Sequence, residues 1–140
     1  MTSAAEIMTA PAWTIGCDAS LDDALALLER LSITTMPVVD ERQALVGLIS
    51  DMDLLRERTG GLRAVARGCA PAVVRPGACR RVAEVMSGLP LVAAPGTTVA
   101  EVAAIMLQQG LRTVPVVAGD RVVGVVSRGD VLATLLTGTA

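Results

Sequence analysis

Three observations predict an α/β (α+β) fold built from two tandem copies of one unit. Ala5-Glu6-Ile7-Met8 returns as Ala83-Glu84-Val85-Met86, Met36-Pro37-Val38-Val39 as Val114-Pro115-Val116-Val117, and Gly47-Leu48-Ile49-Ser50-Asp51-Met52-Asp53 as Gly124-Val125-Val126-Ser127-Arg128-Gly129-Asp130. The offset is 78 residues up to the prolines and 77 after them, so one residue is lost in the turn between Val39 and Val46. Matching order at matching spacing marks two copies of one structural unit. Within each copy, short apolar runs alternate with apolar residues at helical spacing, the pattern of strand, helix, strand, strand, helix. Finally, 52% hydrophobic and 19% charged residues exclude a disordered chain.

The first unit is expected over residues 4–58. Met8 to Pro11 reads as a turn and Trp13 to Ile15 as a short strand. Ser20 is a helix N-cap with Asp23 at the capping-box spacing, and Leu21, Ala24, Leu25, Leu28 and Leu31 carry an amphipathic helix to about Ser32. Met36 to Val39 and Leu45 to Ile49 are buried strands around the turn Asp40-Glu41-Arg42-Gln43, and a helix follows from about Met52 to Glu57. The second unit, residues 82–136, repeats this. Leu91-Val92-Ala93 is its short strand and Thr98, with Glu101 three residues on, its helix cap. Val99, Val102, Ala103, Met106 and Leu107 line that helix, and Gly110 ends it. Val114 to Val117 and Val122 to Val126 are strands, and the last helix runs from about Gly129 to Leu136. One such unit buries too little alone, so the two are expected to pack together through their sheets.

Composition narrows the chemistry. The chain has no His, Tyr, Phe or Lys, and all twelve cations are Arg. The commonest general base and metal ligand are therefore missing, as are a Schiff-base lysine and a P-loop. The Asp51/Asp53 carboxylates alone are read as helix-start groups rather than a Mg²⁺ site. A non-catalytic protein with neither metal nor cofactor is expected. Cys17, Cys69 and Cys79 form neither a disulfide framework nor a zinc knuckle; free thiols are expected, with a Cys69–Cys79 disulfide as the alternative. No apolar run reaches a membrane span, and Met1 to Glu6 lacks the start of a signal peptide, so a soluble cytoplasmic protein is expected.

Residues 59–81 read as an Arg-rich linker. From Leu54 to Arg81 the chain carries seven of its twelve arginines and one acid, Glu57, punctuated by Gly60-Gly61, Gly68, Pro71 and Pro76-Gly77. A polyphosphate tail, an acidic partner surface or nucleic acid would suit such a cluster. A single aromatic residue and a pI near 5.0 argue against nucleic acid.

Met8-Thr9 and Met86-Ser87 open the units, Pro-Val-Val strands follow, and Gly-x-x-Ser-x-x-Asp closes each. In these features the chain resembles a CBS-domain pair, the tandem module named after cystathionine β-synthase, over roughly residues 4–58 and 82–136. The resemblance implies adenosine-containing ligands (AMP, ADP, ATP or S-adenosylmethionine) in two clefts related by a pseudo-twofold axis. It also implies a sensing rather than catalytic role, and association of two pairs into a homodimeric disc. The effector is expected to be a separate partner protein, with no nucleic acid and no membrane.

On that resemblance, Asp53 and Asp130 would accept the vicinal ribose hydroxyls. Ser50 and Ser127, three residues earlier, would meet ribose or phosphate oxygens at the following helix start. Each site would draw its adenine pocket from the other unit. Ser50 and Asp53 are expected to work with Val92, Ala93 and Arg112-Thr113-Val114, and Ser127 and Asp130 with Thr14, Ile15 and Thr34-Thr35-Met36. Arg112 and Arg128 would bind phosphate, whereas Thr34 and Asp51 stand at their equivalents, so unequal affinities favouring the Asp130 site are expected. In the bland alternatives, the Ser-x-x-Asp pairs only cap helices, both arginines are solvated, and the clefts stay empty in a structural dimerisation module. Trp13 is read as core packing, with adenine stacking as its alternative.

Overall fold

In the computed structural model, residues 2–59, 81–88 and 91–137 are described. The elements run α1 (Ala4–Ile7), β1 (Ile15–Gly16), α2 (Leu21–Leu31), β2 (Thr35–Val39), β3 (Leu45–Ser50), α3 (Asp51–Thr59), α4 (Val82–Val85), α5 (Val99–Gln109), β4 (Thr113–Ala118), β5 (Arg121–Ser127) and α6 (Arg128–Thr137). The Arg-rich linker, with Cys69 and Cys79, lies outside the described residues but for its two ends.

The expected caps start and stop the long helices. Ser20 Oγ accepts from the Asp23 N–H at 3.1 Å, and Ser32 closes α2 in the left-handed conformation. Thr98 and Glu101 exchange hydrogen bonds at the start of α5, and Gly110, at φ 64°, closes it. In the first sheet β1 runs parallel to β2, Ile15 opposite Val38, and β2 antiparallel to β3. The second sheet pairs β4 antiparallel with β5.

The expected strand Leu91-Val92-Ala93 is a single bridge. Ala93 pairs with Val116, while Leu91 and Val92 stay exposed. The cause is one substitution between the repeats. In the first unit Cys17 N–H donates to Val39 O at 2.9 Å and extends the pairing. Pro95 stands at the equivalent place and has no N–H. The Ala94 N–H turns instead to Thr97 Oγ1, at 2.9 Å.

The lost residue between the strands also has a local cause. Asp40 Oδ1 accepts from the N–H groups of Arg42 and Ala44, at 2.9 and 3.0 Å, which holds a wide turn. Ala118 cannot do this. Ala118 instead pairs directly with Arg121 around Gly119, whose φ of 69° suits a tight turn. The two hairpin turns meet: Leu45 N–H donates to Asp120 O at 3.1 Å.

The units exchange their opening turns. Ala4 of α1 is buried with Ala93, Val99, Val102, Val114 and Val126, in the second unit's core. Val82 of α4 is buried with Ile15, Leu21, Leu28, Val38 and Ile49, in the first unit's core. Backbone bonds fasten both: Ala4 N–H to Thr97 O at 2.7 Å, and Val82 N–H to Ala19 O at 2.9 Å. Beyond the turns, Thr9 bridges Val125 and Ser87 bridges Leu48, residues that are equivalent under the repeat. These contacts of the opening turns thus occur twice, which is an internal pseudo-twofold, and β2 touches β4.

Candidate functional site

The first cleft begins where β3 becomes α3. Ser50 N–H donates to Asp53 Oδ2 at 2.9 Å, and Asp53 N–H donates to Ser50 Oγ at 3.1 Å. This reciprocal box satisfies two backbone donors at the helix start, where the helix dipole also favours a carboxylate. Asp51 N–H donates to Thr34 O at 2.8 Å and ties α3 to the lead-in of β2. Asp53 is only 7% exposed. One turn along α3, Arg56 Nη2 donates to Asp53 Oδ1 at 2.8 Å from a side chain that is 63% exposed. Such a solvated pair contributes at most about 1 kcal/mol.

A cavity of about 560 Å³ opens beside this box. Thr35, Ser50, Asp51, Asp53 and Arg56 come to it from the first unit, and Ser87, Gly88, Gly110, Leu111 and Arg112 from the second. Its volume is in the range of small-molecule sites. The lining holds two cations and two carboxylates, with hydroxyls from Thr35, Ser50 and Ser87 between them.

The second cleft stands at the pseudo-twofold position. Ser127 N–H donates to Asp130 Oδ2 at 2.9 Å and Asp130 N–H to Ser127 Oγ at 3.2 Å, while Arg128 N–H donates to Arg112 O at 2.8 Å. Its cavity, about 360 Å³, is lined by Ser127, Thr113 and Val125 of one unit and by Thr9, Trp13, Ile33, Thr34 and Thr35 of the other. Ala133 stands where the first unit has Arg56. Asp130 Oδ1 accordingly has no hydrogen-bond partner among the described residues.

Of the residues expected around Asp53, the structure brings Ser50 and Arg112 to its cleft. Thr113 lines the other one. The ladder is the reason: Thr35 pairs with Ser50 and Thr113 with Ser127, so each pre-proline threonine lies beside its own unit's serine. Arg112, before β4 begins, reaches across. Ala93, Val114, Met36 and Ile15 are buried in the two cores and line neither cavity. Thr14 and the exposed Val92 are also outside both linings. Thr34 and Thr35 join Ser127, whereas Asp130 and the exposed Arg128 are set back from that cavity's wall.

Trp13 corrects the core-packing expectation. It is 59% exposed and forms part of the second cavity's wall, because the buried strand begins only at Ile15 and leaves Trp13 outside the pairing. Sequence reasoning missed Arg56, counted only among the linker cations, although its i,i+3 spacing from Asp53 was a usable signal. It also missed Thr9 and Ser87 as lining residues. Their equivalence in the repeat, directly after the opening methionines, pointed to them.

The sequence matches the CBS domain family twice, over residues 4–60 and 82–137. The CBS domain-containing protein CBSX1 of Arabidopsis thaliana, a chloroplastic protein, is 33% identical over 132 residues, 84% of this chain and 56% of the relative. The chain therefore spans little more than half the length of that relative. The crystal structure of Arabidopsis CBSX2 in complex with AMP has a TM-score of 0.78 at 28% identity and covers 100% of both chains. The CBS domain pair of protein MJ0100, in complex with 5′-methylthioadenosine and S-adenosyl-L-methionine, has a TM-score of 0.76 at 27% identity, covering 100% of this chain and 99% of that one. Two matched copies, exchanging their opening turns around two equivalent clefts, account for nearly every described element: the chain belongs to the CBS domain family, as a tandem pair.

Proposed function

We propose that this chain is a non-catalytic regulatory module that binds adenosine-containing ligands (AMP, ADP, ATP or S-adenosylmethionine) between its units and transmits occupancy to a partner protein. The observation that carries this reading is the first cleft, where Ser50 and Asp53 of one unit meet Ser87 and Arg112 of the other. A carboxylate suits a ribose diol, and a guanidinium facing it across the cleft suits a phosphate. A ligand touching both units favours one arrangement of the pair over others, which is the physical content of sensing. The AMP, 5′-methylthioadenosine and S-adenosylmethionine held by similar CBS pairs support the ligand class.

A homodimer belongs to the same proposal. Leu55 on α3 and its equivalent Leu132 on α6 are exposed, with Leu135 and Leu136 beside the latter, and they offer a second copy an apolar surface. Sedimentation should give twice the 14.3 kDa chain mass, and Leu55→Glu with Leu132→Glu should give the monomer. A cytoplasmic setting is proposed likewise. Among the described residues no helix is long and apolar enough to cross a membrane, and two plant relatives are chloroplastic.

One observation favours a second reading, a structural module with empty clefts. Both Ser-x-x-Asp boxes are already satisfied as helix caps. A thermal-shift panel of AMP, ADP, ATP, GTP and S-adenosylmethionine separates the two. Ligand at 100 times its Kd should stabilise the chain by about 2.7 kcal/mol. Asp53→Ala and Asp130→Ala should each remove one site's share. A flat response across the panel would leave the structural reading standing.

A further inference from the structure

The two clefts share one plan but differ at the carboxylate meant for ribose. Asp53 Oδ1 holds the Arg56 guanidinium at 2.8 Å, and Oδ2 holds the Ser50 N–H. Both oxygens of this nearly buried group are engaged before any ligand arrives. Asp130 keeps Oδ1 open among the described residues, since Ala133 replaces the arginine. The Arg56 side chain is mostly exposed, and its length lets the guanidinium move while α3 stays fixed.

We propose that Arg56 is a specificity-determining latch on the first cleft: it covers the Asp53 carboxylate, and it is released to ligands that bring an anionic group of their own. This rests on the adenosine-ligand reading of the cleft. A ribose diol reaching Asp53 must displace the guanidinium. A neutral nucleoside does so and leaves Arg56 without its carboxylate. A 5′-phosphorylated nucleoside gives the displaced guanidinium a new, charge-matched acceptor within the same cavity, whose wall Arg56 already forms. Arg112 lines the opposite side and adds a second cation, offset by Asp51. The first cleft therefore selects for phosphate on the ligand. The second cleft has neither Arg56 nor Arg112 in its wall, accepts neutral adenosine compounds and offers Trp13 as an apolar face.

Asp130→Ala in the full chain isolates the first cleft, and calorimetry with AMP and with adenosine reads its selectivity. AMP is expected to bind at least ten-fold tighter than adenosine. Arg56→Ala in that background should bring the two affinities within about three-fold, by strengthening adenosine and weakening AMP. Arg112→Ala should weaken AMP without strengthening adenosine, which distinguishes a latch from a simple phosphate contact. Folding is not at risk, since alanine is the natural residue at the equivalent position of α6, and Arg56→Gln gives an independent second variant. If AMP binding is abolished by Asp53→Ala but the AMP-to-adenosine ratio ignores both Arg56 variants, the latch is wrong and the site stands. If neither compound binds the first cleft at all, the site reading fails and the latch with it.

Discussion

At the scale of single residues, the two glycines facing the opening methionines decide how closely the units approach. A Cβ on Gly47 would run into Ser87 O and lie 2.8 Å from Met86 Sδ; one on Gly124 would lie 2.5 Å from Met8 Sδ and 3.0 Å from Thr9 O. The Thr9–Val125 and Ser87–Leu48 bridges need this contact, so the missing side chain is a packing requirement rather than a conformational one. Gly47→Ala and Gly124→Ala should each destabilise by about 1–3 kcal/mol in urea unfolding. Gly16→Ala, where a Cβ meets nothing within 4 Å, serves as the control and should stay within about 0.5 kcal/mol. Trp13 offers a second test at this scale. As the chain's one Trp, exposed at the second cleft, its emission should shift when ligand enters there and stay unchanged in Asp130→Ala, where only the first cleft fills. Ser50, Asp53, Ser127 and Asp130 were legible because the repeat prints them twice. Trp13 and Arg56 have no counterpart in the other copy, Leu91 and Ala133 standing there, so comparison of the copies was silent about them.

At the scale of elements, caps are the most local signal and the best anticipated. Thr98→Ala removes the acceptor for Glu101 N–H and should lower stability by about 1 kcal/mol, as should Ser20→Ala at the start of α2. Asp40→Ala leaves the Arg42 and Ala44 N–H groups without their side-chain acceptor and should destabilise the first hairpin by a similar amount, about 1 kcal/mol. Calorimetric melting compares all three. The elements that escaped were the shortest. Helices α1 and α4 are single turns of four residues, too short to display an apolar period, although Glu6 and Glu84 accept from the N–H groups of Ser3 and Arg81 at their starts. The strand expected at Leu91 to Ala93 failed because its apolar run resembled the first unit's strand, while Pro95 removed the donor that extends it.

For the whole molecule, the exchanged turns tie the two half-size cores together. Val82 has no exposed surface and belongs to the first core although it precedes the second unit. Val82→Ala should therefore destabilise by about 1–3 kcal/mol, and the loss should show in Trp13 fluorescence as well as in far-ultraviolet dichroism. Both probes should report one coincident transition. Separate transitions would mean that the halves unfold independently and that the exchange holds little.

The sequence by itself determined the number of units, the order of their longer helices and hairpin strands, the caps and the Ser-x-x-Asp boxes. These depend on residues within a few positions of one another, and the repeat states each of them twice. Only the tertiary structure decided which unit each opening turn completes, which residues from the two halves share a cleft, and that Asp53 is covered while Asp130 is open. Those outcomes depend on contacts between residues far apart in the chain, where hydrophobic burial acts without direction along the sequence and a single unmatched side chain, Arg56 against Ala133, makes two copies of one motif unequal.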